Sequence, residues 1–429
     1  MHARIGALIL LITLAAGLTP AWCEEPIITE SLPNGARLVL QERSGCGTYA
    51  IQILALGGSL EDTDSQVGLT EVLSRMLLRG SLKRTGSDQA LEIEQTGSRV
   101  ESVAGALGFS VRAEGPSSAI TAVLPVVADA MLKPRLDPAD LKTEIGLARL
   151  RLARSLDVPS SARQRTLLPL LFGGHPLGRV ADPDNYLAGL TLDNLRRAHQ
   201  GRVVGARLIV VVVGEFDTEG IRHELTGLLA ELPAGSAPVR AASPEPLSAE
   251  RHARAKRHTS QPEIVVALPT EGLSPREEPV MDFLGYMLGG FQERLSTEIR
   301  EKRGWAYWLS PLDWRLPEAG AFGIVTAVPR KHLAETERLI HEEFKRIATV
   351  APTESEMDRT RRYLLTARAR ECQQSDQRAA RYAADTARGL PAGGYTEFAT
   401  ALASVTPDAI RALARKLLDG SATVTVMLY

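Results

Sequence analysis

Apolar residues recur along this chain with two different periods, and the period changes at points marked by Gly, Pro, Asn and Thr. Ile27–Leu32 and Ala36–Gln41 flank Pro33-Asn34-Gly35, and Asn-Gly between apolar runs predicts a hairpin. Thr48–Leu56 continues as strand. At Gly68 the pattern switches: Leu69, Val72, Leu73, Met76 and Leu77 follow the i, i+3, i+4, i+7, i+8 stripe of a core-facing helix. Glu71, Ser74 and Arg75 share its other face, where Glu71 and Arg75 are spaced for an i,i+4 ion pair worth ~0.3–0.5 kcal/mol. Val100–Arg112 reads as a further strand, and Ala119–Leu132 and Leu141–Pro159 as helices.

The pattern repeats. Thr191 opens a helix that leads into Leu208–Val213, and Thr406, 215 residues later, opens another that leads into Ala422–Leu428. Each begins with a threonine cap and an acidic first turn, and the second adds proline at the first helical position. The same order recurring at half the chain length predicts a duplicated domain. Each half reads as α+β, an antiparallel sheet with helices on one side. Boundaries follow from composition: 24–232 for the first domain, a linker rich in Pro, Ala, Ser and Arg at 233–258, and 259–429 for the second.

Before Glu24 lies a short segment with Arg4, the apolar run Ile5–Leu18, and Pro20-Ala21-Trp22-Cys23. It reads as a secretory signal peptide, residues 1–23, with an uncleaved anchor as the alternative; Pro20 and Trp22 suit a lipoprotein site poorly. Cleavage implies a protein of the bacterial periplasm with no remaining membrane span. The 50 basic and 51 acidic side chains balance, and no aromatic-plus-basic platform stands out, which argues against nucleic acid as a partner. Cys46 and Cys372 remain after the leader. They pair in an oxidising compartment or stay as buried thiols; the sequence leaves both open. Histidines beyond the leader show no i,i+3 or i,i+4 pairing, and His252 and His258 fall in the polar connector.

The frame from Gly68 to Ser81 resembles the G-L-x-H-x-x-E-H-M-L-x-x-G-[ST] segment of the M16 (pitrilysin or insulinase) peptidases. There two imidazoles one turn apart bind Zn²⁺ and a glutamate activates water. Here those positions read Glu71, Ser74 and Arg75, and the third ligand, expected about 76 residues further on, reads Arg151. Guanidinium groups repel a dication and do not deprotonate, so the resemblance implies a degenerate zinc motif and no metal in this chain. Phe172 through Arg179 resembles the family's F-x-x-H-P-[YL]-G segment, with His175 read as a loop histidine.

In the second half, Phe291 through Tyr307 resembles the family's S-R-L-x-x-x-[LI]-R-E-x-[KR]-G-L-A-Y segment. The resemblance implies that Arg300 and Tyr307 are the pair which such enzymes project toward a zinc centre, Arg300 in the last turn of a helix ending at Gly304 and Tyr307 on the following strand. A cation and a phenol there donate to a carbonyl becoming an oxyanion. The plainer reading is that Arg300 caps its helix and Tyr307 is a core-edge aromatic. At the level of the molecule, the resemblance implies two homologous M16 domains forming half of a clamshell. It also implies a zinc-free subunit that encloses unstructured peptide and works with a zinc-bearing M16 subunit, or as a homodimer. The alternative is a non-enzymatic M16-like scaffold or peptide-binding protein.

Overall fold

The computed structural model describes residues 25–183, 185–256, 261–291 and 293–429. The signal-peptide assignment and His258 lie outside them. The first half runs β1 (Ile28–Ser31), β2 (Arg37–Glu42), β3 (Thr48–Leu56), α1 (Leu69–Met76), α2 (Gly86–Glu94), β4 (Arg99–Ala104), β5 (Gly108–Pro116), α3 (Ile120–Leu132), α4 (Pro138–Ser155), α5 (Pro159–Phe172), α6 (Leu192–Arg202), β6 (Leu208–Gly214) and α7 (Thr218–Leu229). The second runs β7 (Arg251–Ala255), β8 (Glu263–Glu271), α8 (Glu278–Gly289), α9 (Arg294–Ser296), β9 (Leu309–Arg315), β10 (Ala319–Ala327), α10 (Leu333–Thr349), α11 (Glu354–Glu371), α12 (Ser375–Ala387), α13 (Tyr395–Ala403), α14 (Pro407–Gly420) and β11 (Val424–Leu428).

The duplication is visible in the sheets. Strands β2-β6-β3-β5-β4 of the first recur in order as β7-β11-β8-β10-β9 of the second, with β1 added as a hairpin partner of β2. Neighbours are antiparallel except for one pair in each sheet: β2 with β6 and β7 with β11 are parallel. The reason lies in β6 and β11, whose residues are buried on both faces, as suits an inserted central strand rather than an alternating edge. Both threonine-capped helices form as the sequence predicts, Thr191 accepting from the amide of Asn194 and Thr406 from that of Ala409. Two sequence expectations change. Val100–Arg112 is not one strand, because the chain reverses after Ala104 and β4 and β5 pair as a hairpin. Within the stretch read as linker, Arg251–Ala255 forms the edge strand β7.

Each half gathers its helices on one face of its sheet. Leu38, Leu40, Ile51, Ile53, Val210 and Val212 meet α1 and α3, and Ile264, Val266, Leu268 and Ile324 meet α8, α10 and α14. The opposite face takes one helix from the other half. Ala379, Tyr382 and Ala383 of α12 pack on Val39, Ala50, Ile209, Val211 and Val213, while Ala162, Leu167 and Leu171 of α5 pack on Val265, Ala267, Val424 and Val426. These two helices begin 216 residues apart, close to the repeat read from the sequence.

Candidate functional site

Helix α1 starts at Gly68, whose φ of 94° and lack of a side chain admit the ring of Tyr186; a Cβ there would meet that ring at 2.4 Å. Tyr186 thereby reaches the first turn of α1, where its hydroxyl donates to Glu71 Oε2 at 2.5 Å. Arg151, on α4, places Nε 3.2 Å from Glu71 Oε1 and Nη2 3.3 Å from Glu144 Oε2. Glu144, one face of α4 away by seven residues, is 3% exposed and also accepts from Arg79, whose Nε lies 3.1 Å from Oε1. Glu71, Arg151, Glu144, Arg79 and Tyr186 thus form one connected ion-pair cluster at the position of the motif. Burial works against the Arg151 cation, but the hydrogen bonds it donates to Glu144 and Glu71 outweigh it and raise its pKa. Burial first, and then the Glu71 carboxylate, raises the pKa of Tyr186, so this phenol stays a donor.

The structure places Glu71 and Arg151 in one ion pair and corrects two expectations around them. Ser74 is not on a solvent face but 1% exposed, with Oγ lacking a hydrogen-bond partner among the described residues. Glu71 pairs with Arg151 and Tyr186 rather than with the exposed Arg75, because two donors held by tertiary packing outcompete one flexible side chain on the helix surface. The cluster does not fit zinc: its carboxylates are already taken by guanidiniums, Arg151 bonding both Glu71 and Glu144 and Arg79 bonding Glu144. Among the described residues no three His, Cys, Asp or Glu side chains gather as a set able to hold a metal ion. His175 staples a loop, accepting from the Leu177 amide at Nδ1 and lying 2.8 Å from the Ala242 carbonyl at Nε2.

The second place is built on buried charge. Glu293 is 1% exposed and receives Arg359 at 2.7 and 2.9 Å; Arg294 donates to Glu343 at 3.0 Å and to Glu356 at 2.7 Å. These pairs fix the base of a helical segment that continues as a π-turn through Thr297–Glu301, so the last turn is wider than the α-turn expected. Its end points outward. The Arg300 guanidinium lies 4.4 Å over the Phe291 ring and comes no nearer than 4.0 Å to Glu301. Tyr307 is 81% exposed and sits ahead of β9, not on the strand as expected, because strand pairing begins only at Leu309. Arg303 is the helix-terminal charge, bonded to the carbonyl and carboxylate of Glu298. No hydrogen bond or ion pair among the described residues joins Arg300 or Tyr307 to the Glu71 cluster.

Sequence reading missed Glu144 and Tyr186, and gave Arg79 and Phe291, which lie within the matched segments, no role at either place. The spacing of Glu144 and Arg151 along one helix face was an available signal; Tyr186 arrives from a loop and had none.

Comparison with known proteins gives a consistent picture. The family model for Insulinase (Peptidase family M16) matches residues 38–181, and that for the Peptidase M16 inactive domain matches residues 189–364. An uncharacterized zinc protease of Streptomyces coelicolor is 23% identical over 407 residues, covering 92% of this chain and 88% of that protein. The crystal structure of a peptidase M16 inactive domain from Pseudomonas fluorescens aligns with a TM-score of 0.85 at 20% identity, over 94% of this chain and 98% of that one. The periplasmic protease PqqL from Escherichia coli aligns with a TM-score of 0.78 at 15% identity, over 94% of this chain and 47% of that one. At such identities the two structures speak to fold.

Proposed function

Because the chain belongs to the M16 peptidase family, we propose that it is the zinc-free subunit of a periplasmic M16 peptidase heterodimer, with a zinc-bearing subunit as partner. A leader at 1–23 takes it across the inner membrane, and the domains 24–232 and 259–429, the second completed by strand β7 from the connector 233–258, form one half of a shell around unstructured peptide. The observation that carries this reading is the contrast between its two sites. At the motif, Arg79 and Arg151 are committed to Glu144 and Glu71; in the second half, Arg300 and Tyr307 extend from a buried, ion-paired base, Arg300 over the Phe291 ring and Tyr307 into solvent. A partly exposed cation and an exposed phenol seven residues apart suit donation to a peptide carbonyl as negative charge develops on its oxygen.

The isolated protein carries no stoichiometric zinc in this reading and leaves unstructured peptides uncut. Elemental analysis of the purified chain checks the first point, and one tightly held zinc with chelator-sensitive hydrolysis overturns it. The action in trans is tested by mixing the chain with a secreted M16 protein that keeps H-x-x-E-H, ideally one encoded beside it. Arg300→Ala and Tyr307→Phe each lower kcat of the mixture by ~10²–10³-fold while sizing shows the complex intact. Variants that assemble and turn over like the original make the pair structural, and leave the scaffold reading in its place.

A further inference from the structure

The seam between the halves holds a feature that the proposed peptidase role does not use. Cys46 and Cys372, 326 residues apart, lie on turns that touch. The turn after β2 closes through the Cys46 amide on the Arg43 carbonyl at 3.4 Å. From it Arg43 Nη1 reaches the Gln373 carbonyl at 3.2 Å and Ser375 Oγ at 3.1 Å. Thr48 Oγ1, 3.8 Å from Cys46 Sγ, stands 3.5 Å from Ser375 Oγ. One turn therefore carries Cys46, and the facing turn, between α11 and α12, begins at Cys372.

The two thiols differ in the ways that exchange chemistry needs. Cys46 is partly exposed and Cys372 is buried. The Cys372 amide bonds the Arg368 carbonyl and its own carbonyl accepts from buried Arg378, so the backbone that carries the second thiol is held in place. Gly45 and Gly47, on either side of Cys46, have φ of 73° and 67° with open space around each, so this turn has room to adjust to the ~4.4–6.8 Å Cα separation of a disulfide.

We propose that Cys46 and Cys372 form an oxidisable pair that locks α12 of the second half to the sheet of the first. The oxidant is a small or protein disulfide, such as oxidised glutathione or an oxidised dithiol exchange protein. Cys46 thiolate attacks the donor disulfide, forming a mixed disulfide and releasing one donor thiolate. Cys372 thiolate then attacks Cys46 Sγ, releasing the second. The two protons lost by the cysteines end on the two donor thiols, and the donor takes both electrons. Only Cys46 needs solvent access; the second step is internal.

The full chain, treated with oxidised glutathione and then alkylated, tests this by peptide mapping without reduction. The expected product is a cross-linked pair of peptides containing Cys46 and Cys372, with neither residue alkylated. Its formation raises the midpoint of thermal unfolding by ~3 °C or more, and dithiothreitol reverses the rise, because the bond closes a very long loop. Cys46→Ser abolishes both the cross-link and the shift. Glutathione retained on Cys46 with Cys372 alkylated overturns the proposal, as does a cross-link from either residue to Cys23, or two alkylated thiols after full oxidation of a control dithiol. Because the wild-type map decides the matter, a variant that folds poorly does not affect the outcome.

Discussion

Glu144 is the residue on which the altered motif turns. A carboxylate 3% exposed needs its charge compensated, and Arg79 and Arg151 approach it from beyond α1 and from α4. The cluster so formed holds α1 against α4, the two helices that present the ligands in an M16 zinc site. Arg79→Ala leaves Glu144 with Arg151 alone, which Glu71 also shares, and is expected to lower stability by ~1–3 kcal/mol in urea unfolding. Combined with Arg151→Ala, the loss exceeds the sum of the single effects, since Glu144 is then buried without a cation. An additive result would show that water or another group satisfies Glu144. Of this cluster, motif register pointed to Glu71 and Arg151, while the Ser74 and Arg75 it also marked lie outside it. It did not disclose Tyr186, whose contact depends on how a loop 115 residues away folds back over Gly68.

At the scale of elements, α11 shows how one helix start supports another segment. Thr353 caps it, accepting from the Glu356 amide, and Glu356 returns its carboxylate to the Thr353 amide and to Arg294. Burial tends to raise the pKa of Glu356, but Arg294 and Thr353 outweigh it and hold the carboxyl at about 2, against an ordinary 4.5. A depressed carboxyl pKa stabilises the folded state above 4.5, and that contribution is lost as pH falls toward 2. Glu356→Gln is therefore less stable at neutral pH and loses less on acidification between pH 4.5 and 2. A pH series of thermal melts for both proteins checks this; parallel curves would mean that the pair with Arg294 contributes nothing. Since Arg294 begins the segment ending at Arg300, the same variant is a control for how firmly that segment is held.

For the whole molecule, the exchange of α5 and α12 decides how the halves behave. Each sheet has its outer face covered by a helix that the other half supplies, so neither half has a complete core alone. Heat should unfold the chain in one cooperative transition, and a calorimetric trace with two separate peaks would contradict this. Tyr382 is 1% exposed at the centre of one such contact, with its hydroxyl 3.0 Å from Gln41 Oε1. Tyr382→Ala is expected to cost ~3–5 kcal/mol and to lower the single midpoint rather than split it.

Local pattern was enough for most elements, since a stripe at 3.6-residue spacing, an Asn-Gly turn or a threonine cap acts through neighbours in sequence. Thus the sequence determined α1, β3, the capped helices α6 and α14, and the duplication, and the M16 register located the altered motif and the segment with Arg300 and Tyr307. Tertiary structure alone decided the rest. The hairpin within 100–112, the burial of Ser74 and the strand at 251–255 depend on which face or edge meets a distant neighbour. So do the crossing of α5 and α12 and the meeting of the Cys46 and Cys372 turns. Charge follows the same rule: helix spacing offered Glu71 the nearby Arg75, but packing supplied Arg151 and Tyr186 already fixed in place, and the pair with the smaller entropy cost prevailed.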